Sequence, residues 1–403
     1  MKILFLTDNF PPEINAPANR TFEHCREWVR NGAEVTVITC VPNFPKGRVF
    51  GGYENKLYQE EVMEGIRVIR VWSYISANSG FLRRTLDYVS YGVMSFLFGL
   101  FIKTDLIIGT SPQFFTAVSA WQLSFFKRKK WVMEVRDLWP ESIIAVGATK
   151  NERLIAFLES IEMRMYHSAD KLVVVTDTFK KKIAERGIPH QKIQVLKNGV
   201  DLSKYKPFPK DASLVTHHRL EGKFVFSYIG THGLAHGLEF IIDSIKHIKE
   251  THPDIVFLFV GDGANKEKLL EKAESEEISN AIFVDSVPKD QVLDYLNLMD
   301  IALVNLIKSD TFLTVIPSKI FEAAAVEKPI LLGLGGETKL IIEKYGAGIC
   351  FEPEDRSSFL AAVLKLYEEK CDLDAYINGC RLLAKDFERN KIANQMLTAL
   401  KEV

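Results

Sequence analysis

Two series of short apolar runs, each closing on a turn signal and each followed by a helical pattern, constrain this chain more than any other feature. The first series comprises KILFLT, EVTVITC, DLIIG, KWVMEV and KLVVVT; the second comprises FVFSYIG, IVFLFVG, AIFVD, IALVNL, PILLG and AGICF. Uninterrupted apolar strands of this kind belong to parallel sheets covered by helices on both faces, which predicts an α/β chain. The run IRVIRVW, just after EVMEG, reads as a hairpin insertion. At 403 residues the chain exceeds the size at which one core stops growing, about 250–300 residues, so two domains are expected. The polar segment Asn198 to Lys223 separates the two series and reads as a linker without periodicity. The first domain is therefore set at 1–200 and the second at 201–380: two doubly wound, Rossmann-like domains facing a central cleft.

Composition narrows the partners. A formal net charge of -1 gives no basic bias toward nucleic acid. Five scattered cysteines without CxxC spacing fit a reducing cytoplasm, and nine histidines show no ligand spacing, so no metal is expected. MKILFLTDNFPPE reads as a first strand rather than a signal peptide. The apolar stretch Tyr88 to Lys103 is too short to span a bilayer and reads as a buried or interface-facing helix. Asp372-Leu373-Asp374 resembles a DxD metal motif but reads as a helix N-cap.

In open α/β sheets ligands bind beyond the carboxyl ends of the strands. Three such ends in the second series carry glycine: Gly230-Thr231-His232-Gly233, Gly261-Asp262-Gly263 and Leu334-Gly335-Gly336. Neither a P-loop nor a GxGxxG fingerprint is present, which removes the strongest cues for ATP hydrolysis and for dinucleotide chemistry. The stretch VIPSKIFEAAAVEKPILLGLGGE is more informative. Pro317 suits a first helical turn, leaving the amides of Ser318 and Lys319 directed at an anion. Lys319 and Glu322 stand at i and i+3, an ammonium for a phosphate beside a carboxylate able to accept from a diol. That pattern matches a nucleoside diphosphate. A surface Lys-Glu pair is the plainer alternative.

DNFPPE, EVRDLWPES, NGVD, SYIGTHGLAHGLE, FVGDG, VPKDQV and IPSKIFEAAAVEKPI together resemble the family 4 glycosyltransferases of the GT-B fold, along nearly the whole chain. NAPANRTFEHCREW and PNFPKG are similar to the L-fucosamine transferases of bacterial O-antigen and capsule assembly. The resemblance implies a retaining transfer, without metal or other cofactor, from a UDP-sugar held by the second domain to an acceptor on the first, with the helical segment 381–403 returning to the first domain. The sugar it implies is N-acetyl-L-fucosamine, and the acceptor a polyprenyl-diphosphate-linked saccharide. Three departures stand out. Thr314 replaces the earlier of the family's paired glutamates, of which Glu322 is the later. The loop after the second domain's first strand carries Thr231, His232, Gly233 and His236 in place of the usual lysine or arginine. Ala16-Pro17-Ala18 replaces an N-terminal glycine pair, with Asn19 or Arg20 as substitutes near the phosphates.

The residues assigned to the chemistry are Lys319, for the leaving diphosphate, and Asp137, for the acceptor hydroxyl. Asp137 follows Arg136 at the end of WVMEV, where capping of a following helix is an equal reading. Nucleotide contacts are expected from Gly230, Thr231, His232, Gly233, Gly261, Asp262, Gly263, Ser318, Lys319 and Glu322. Acceptor contacts are expected from Asn19, Arg20, Arg136 and Asp137. The patches Phe81-Leu82-Arg83-Arg84 and Phe125-Phe126-Lys127-Arg128-Lys129-Lys130 are expected to dock a cytoplasmic protein on the inner membrane face. A nucleotide-sugar epimerase on the same scaffold and a non-catalytic membrane-associated scaffold are the competing readings.

Overall fold

The computed structural model describes residues 1–13, 15–44, 47–75, 81–141 and 151–403. It divides into two compact units, one of Met1–Asn198 with Arg389–Val403, the other of Gly199–Glu388. The segment that joins the first unit thus begins at Arg389 rather than at 381: the helix Asp374–Asp386 stays with the second unit, its Cys380 buried and its thiol donating to the carbonyls of Lys328 and Ala347.

The first unit holds an eight-stranded sheet in the order β3-β4-β2-β1-β5-β6-β7-β8. Its strands are β1 Lys2–Leu6, β2 Glu34–Cys40, β3 Tyr58–Met63, β4 Ile66–Val71, β5 Leu106–Thr110, β6 Lys130–Val135, β7 Lys171–Val174 and β8 Ile193–Val195. The expected hairpin forms from β3 and β4, the antiparallel pair, and β4 joins β2 in parallel. All other pairings are parallel, and the apolar runs are buried as that pattern requires. The helix Ala16–Arg30 starts where Asn15 accepts a hydrogen bond from the Ala18 amide at 2.8 Å, with Pro17 in its first turn. The stiff Ala16-Pro17-Ala18 therefore begins the helix. The helix Arg389–Lys401 packs on this helix, and Trp28 donates its indole hydrogen to the Ala393 carbonyl.

In the second unit all six strands run parallel, in the order β11-β10-β9-β12-β13-β14. These are β9 Phe224–Ile229, β10 Ile255–Val260, β11 Ala281–Val284, β12 Ile301–Asn305, β13 Ile330–Gly333 and β14 Gly348–Cys350. The linker is less irregular than its sequence indicates: Asp211 caps a short helix, Ala212–His217, by accepting from the amides of Ser213 and Leu214. Asp372-Leu373-Asp374 differs in detail too. Leu373 holds the cap position, and Asp374 is the first residue of its helix, where its charge meets the positive end of the helix dipole. No helix among the described residues is long and apolar enough to cross a membrane; Tyr88 falls within the helix Phe81–Gly99.

Candidate active site

In the second unit the expected nucleotide residues converge at the carboxyl ends of β9 and β10 and at the start of the helix Lys319–Ala325. Gly230 and Gly261, with φ of 136° and 143°, occupy backbone that side chains rarely adopt. They also have no room for one. A Cβ on Gly230 would lie 2.7 Å from the Lys319 ammonium, and one on Gly261 would strike the Gly230 carbonyl. The loops after β9 and β10 are laced together, since the His232 amide donates to the Asp262 carbonyl at 2.8 Å and the Asn265 amide to the His232 carbonyl at 2.9 Å. Thr231 and Asp262 are exposed and Gly233 and Gly263 half-buried, while His232 has no accessible surface: it underlies the loop instead of lining it.

Lys319 is the centre of this arrangement. Its ammonium is buried, has no hydrogen-bond partner among the described residues, and lies 3.6 Å from the centroid of the Tyr228 ring. Burial, opposed by the Glu322 charge, lowers its pKa to about 7. The neighbouring Lys266 is committed to the carbonyls of Gly261 and Val284 and to the Asp285 carboxylate. Burial and then the cations Lys266 and Lys319 hold His232 down to about 4. Burial and then Lys319 do the same to His236. Both His232 ring nitrogens lack hydrogen-bond partners among the described residues. Ser318 precedes the helix, and backbone bonding in the turn starts with the Ile320 amide, which donates to Pro317. Glu322, half-buried, sits one turn on from Lys319. The arrangement sets a lysine ammonium, without a hydrogen-bond partner among the described residues, one turn from a carboxylate.

In the first unit Arg136 and Asp137 follow β6. Their amides donate to the Ser111 hydroxyl at 2.7 and 3.2 Å, tying the loop after β6 to the loop after β5. Asp137 is exposed at its tip, although the protein packed around its base raises its carboxyl pKa, opposed by Arg136. Arg136 is pushed down to about 10 by burial, opposed by Glu134, and its Nη1 has no hydrogen-bond partner among the described residues. Arg20 departs from its expected role. Its Nε pairs with the Glu134 carboxylate at 3.0 Å, its Nη1 donates to Lys197 and Asn198, and its Nη2 donates to Leu196. A guanidinium engaged in this way braces the end of β6. Burial raises the Glu134 carboxyl, but Arg20 and Arg136 bring it below its ordinary value. Asn19, one residue earlier, lies on the same helix.

Residues 15–199 match the glycosyl transferase 4-like domain, and residues 211–381 match the glycosyl transferases group 1. The chain is a glycosyltransferase. Among its relatives is the putative colanic acid biosynthesis glycosyl transferase WcaI of Escherichia coli, 25% identical over 90% of this chain and 91% of that protein. The probable glycosyltransferase WbjE of Pseudomonas aeruginosa is 28% identical, over 61% of this chain and 60% of its own length. Of solved structures, Anabaena Alr3699/HepE in complex with UDP-glucose is similar with a TM-score of 0.70 at 18% identity, each chain fully covered. The sucrose-phosphate synthase of Thermosynechococcus elongatus gives a TM-score of 0.73 at 15% identity, over all of this chain and 98% of that one. The transferase therefore has the two-domain α/β fold of the GT-B enzymes.

Several residues of the transferase's strand ends escape a reading of its sequence. Tyr228 faces inward from β9 and carries Lys319 on its ring, yet in sequence it is one more aromatic in a buried run. Asp8 and Glu13 of one loop, Asp87 of a helix and Gln113 of another loop come together from three separate segments, and no spacing announces them.

Proposed function

We propose that the transferase moves a sugar, with retention of anomeric configuration, from a UDP-sugar to a polyprenyl-diphosphate-linked saccharide during synthesis of a bacterial surface polysaccharide. The observation that carries this reading is the buried Lys319 ammonium, without a hydrogen-bond partner among the described residues, at a glycine-walled strand end. A diphosphate would supply the missing charge, and the ammonium would stabilise it most as it departs, when its charge is greatest. Glu322 accepts from the ribose hydroxyls, and Asp137, on the other unit, receives the acceptor hydroxyl. The names of the relatives support a polysaccharide product, and the HepE complex supports UDP. The resemblance to L-fucosamine transferases favours N-acetyl-L-fucosamine as the sugar. The test is incubation with UDP-N-acetyl-L-fucosamine, with and without lipid-linked saccharide. Elongated lipid carrying a retained linkage supports the proposal. A changed donor without acceptor would indicate an epimerase, and no turnover of any donor a scaffold.

Peripheral attachment to the inner membrane face belongs to the same proposal. Phe101, Phe125 and Phe126 are 83%, 77% and 65% exposed, and Phe126 packs edge-on against Phe96 of the helix Phe81–Gly99. Arg128 and Lys129 adjoin them at the end of the helix Phe114–Lys127. Aromatics in the headgroup layer beside cations on anionic lipid are a favourable pairing. Lys127 and Lys130 contribute less, being bonded to the Leu100 carbonyl and the Asp170 carboxylate. In the other expected patch, the side chains of Phe81 and Leu82 lie outside the described residues. Sedimentation with anionic vesicles should fall with salt and with Phe125→Ser plus Phe126→Ser. Failure of the wild type to sediment at low salt would remove the membrane role.

A further inference from the structure

The first unit carries a second group of buried side-chain oxygens without hydrogen-bond partners among the described residues. Asp8 ends the turn after β1; its Oδ2 accepts from the Gln113 side-chain amide at 3.0 Å, and its Oδ1 is buried without a partner among the described residues. Gln113 lies in the loop after β5 and is 9% exposed, its own Oε1 unpartnered. Glu13 accepts the amides of Asn43 and Phe44 on Oε1, at 2.8 Å each, and leaves Oε2 buried and unpartnered. Asp87 reaches the same group from the helix Phe81–Gly99. One turn further along, the Tyr91 hydroxyl donates to the Thr7 and Ile38 carbonyls, fixing that helix across the ends of β1 and β2. Asp8, Glu13 and Asp87 are near enough to disfavour one another's charge.

Buried groups in a native fold nearly always find partners, so side-chain oxygens brought together without them indicate a ligand that would pair with them. A divalent cation is disfavoured because, among the described residues, no three Asp, Glu, His or Cys side chains are grouped to hold a metal. A ligand presenting several hydroxyl hydrogens fits better. The strand order places this cluster well, since β5 lies between β1 and β6. Ser111, two residues before Gln113, accepts the Arg136 and Asp137 amides. Asp8, Gln113 and Asp137 therefore follow one another along adjacent strand ends. We infer that Asp8, Gln113 and Asp87 form the subsite that binds the hydroxyl face of the acceptor sugar, beside Asp137. This rests on the transferase reading for the identity of the polyol as acceptor alone; the cluster would bind a polyol whatever its partner.

Saturation-transfer NMR of the full chain with UDP and a panel of methyl glycosides, comprising hexoses, 6-deoxyhexoses and 2-acetamido sugars, tests it. At least one glycoside should show transfer. Asp8→Asn and Gln113→Leu should each weaken its binding about tenfold or more while the UDP signal is kept. Should Asp8→Asn fail to fold, Asp87→Asn at its half-buried helical position carries the same expectation. Absence of any glycoside signal, or equal signals in wild type and variants, would overturn the subsite. Absence of a UDP signal would count against the nucleotide reading, leaving the glycoside comparison to decide this one.

Discussion

The carboxyl ends of the two sheets use burial in opposite ways. At the first, burial and neighbouring carboxylates raise Asp8 to about 8 and Asp87 to about 6, so acids are held near neutrality around buried oxygens without hydrogen-bond partners among the described residues. At the second, burial lowers Lys319 to about 7 and holds His232 and His236 near 4, so bases are held near neutrality around an ammonium without a hydrogen-bond partner among the described residues. Two Rossmann-like sheets built on the same plan thus present opposite chemistry through a few residues at strand ends, with the apolar runs beneath serving equally well for either.

The largest effect expected from breaking this contrast is on stability. Arg20→Ala would leave Glu134 buried beside β6 without its ion pair, costing on the order of 3–5 kcal/mol, to be read from denaturant unfolding. A loss below about 1 kcal/mol would mean that Arg20 is no brace, restoring it as a ligand residue. Next, Lys319→Ala should lower kcat by about 10²–10³ with the fold intact, because the ammonium acts on charge that develops in the transition state. Normal turnover at saturating donor would place the leaving group elsewhere. Glu322→Ala should weaken UDP binding by on the order of 1.5–3 kcal/mol in calorimetry, the worth of hydrogen bonds to a charged acceptor.

The contrast sharpens further with pH. An acid raised from 3.8 to about 8, as Asp8 is, keeps its proton in the fold after the unfolded chain has lost it, so stability falls as pH rises between those values. A base lowered from 10.5 to about 7, as Lys319 is, loses its proton in the fold first, so stability rises with pH across that interval. Asp8→Asn should flatten the first slope, to which Glu13, Asp87 and Cys40 also couple. Lys319→Met should flatten the second. Melting temperatures across pH that show no change of slope in either variant would contradict the assignment of these groups.

Much of this was legible in the sequence. Buried parallel strands write themselves as continuous apolar runs, so each quoted run became a strand, and the hairpin became β3 and β4. The Lys319 and Glu322 spacing and the glycine turns were legible because local backbone chemistry sets them. What stayed hidden depends on contacts between distant segments. Arg20 finds Glu134 114 residues away, and Gln113 finds Asp8 105 residues away. No local pattern records such a meeting, which is why Arg20 read as a ligand residue and Asp8 did not.

The most direct test of the account is titration calorimetry of UDP into the wild type, Lys319→Ala and Asp137→Asn at pH 8. The wild type should take up protons as the diphosphate restores the lysine's charge, making the observed enthalpy depend on the buffer's ionisation heat. Lys319→Ala should lose affinity and that dependence together, and Asp137→Asn should keep both. Equal UDP affinity in wild type and Lys319→Ala, with no buffer dependence in either, would contradict the claim that this strand end is the nucleotide's anion site.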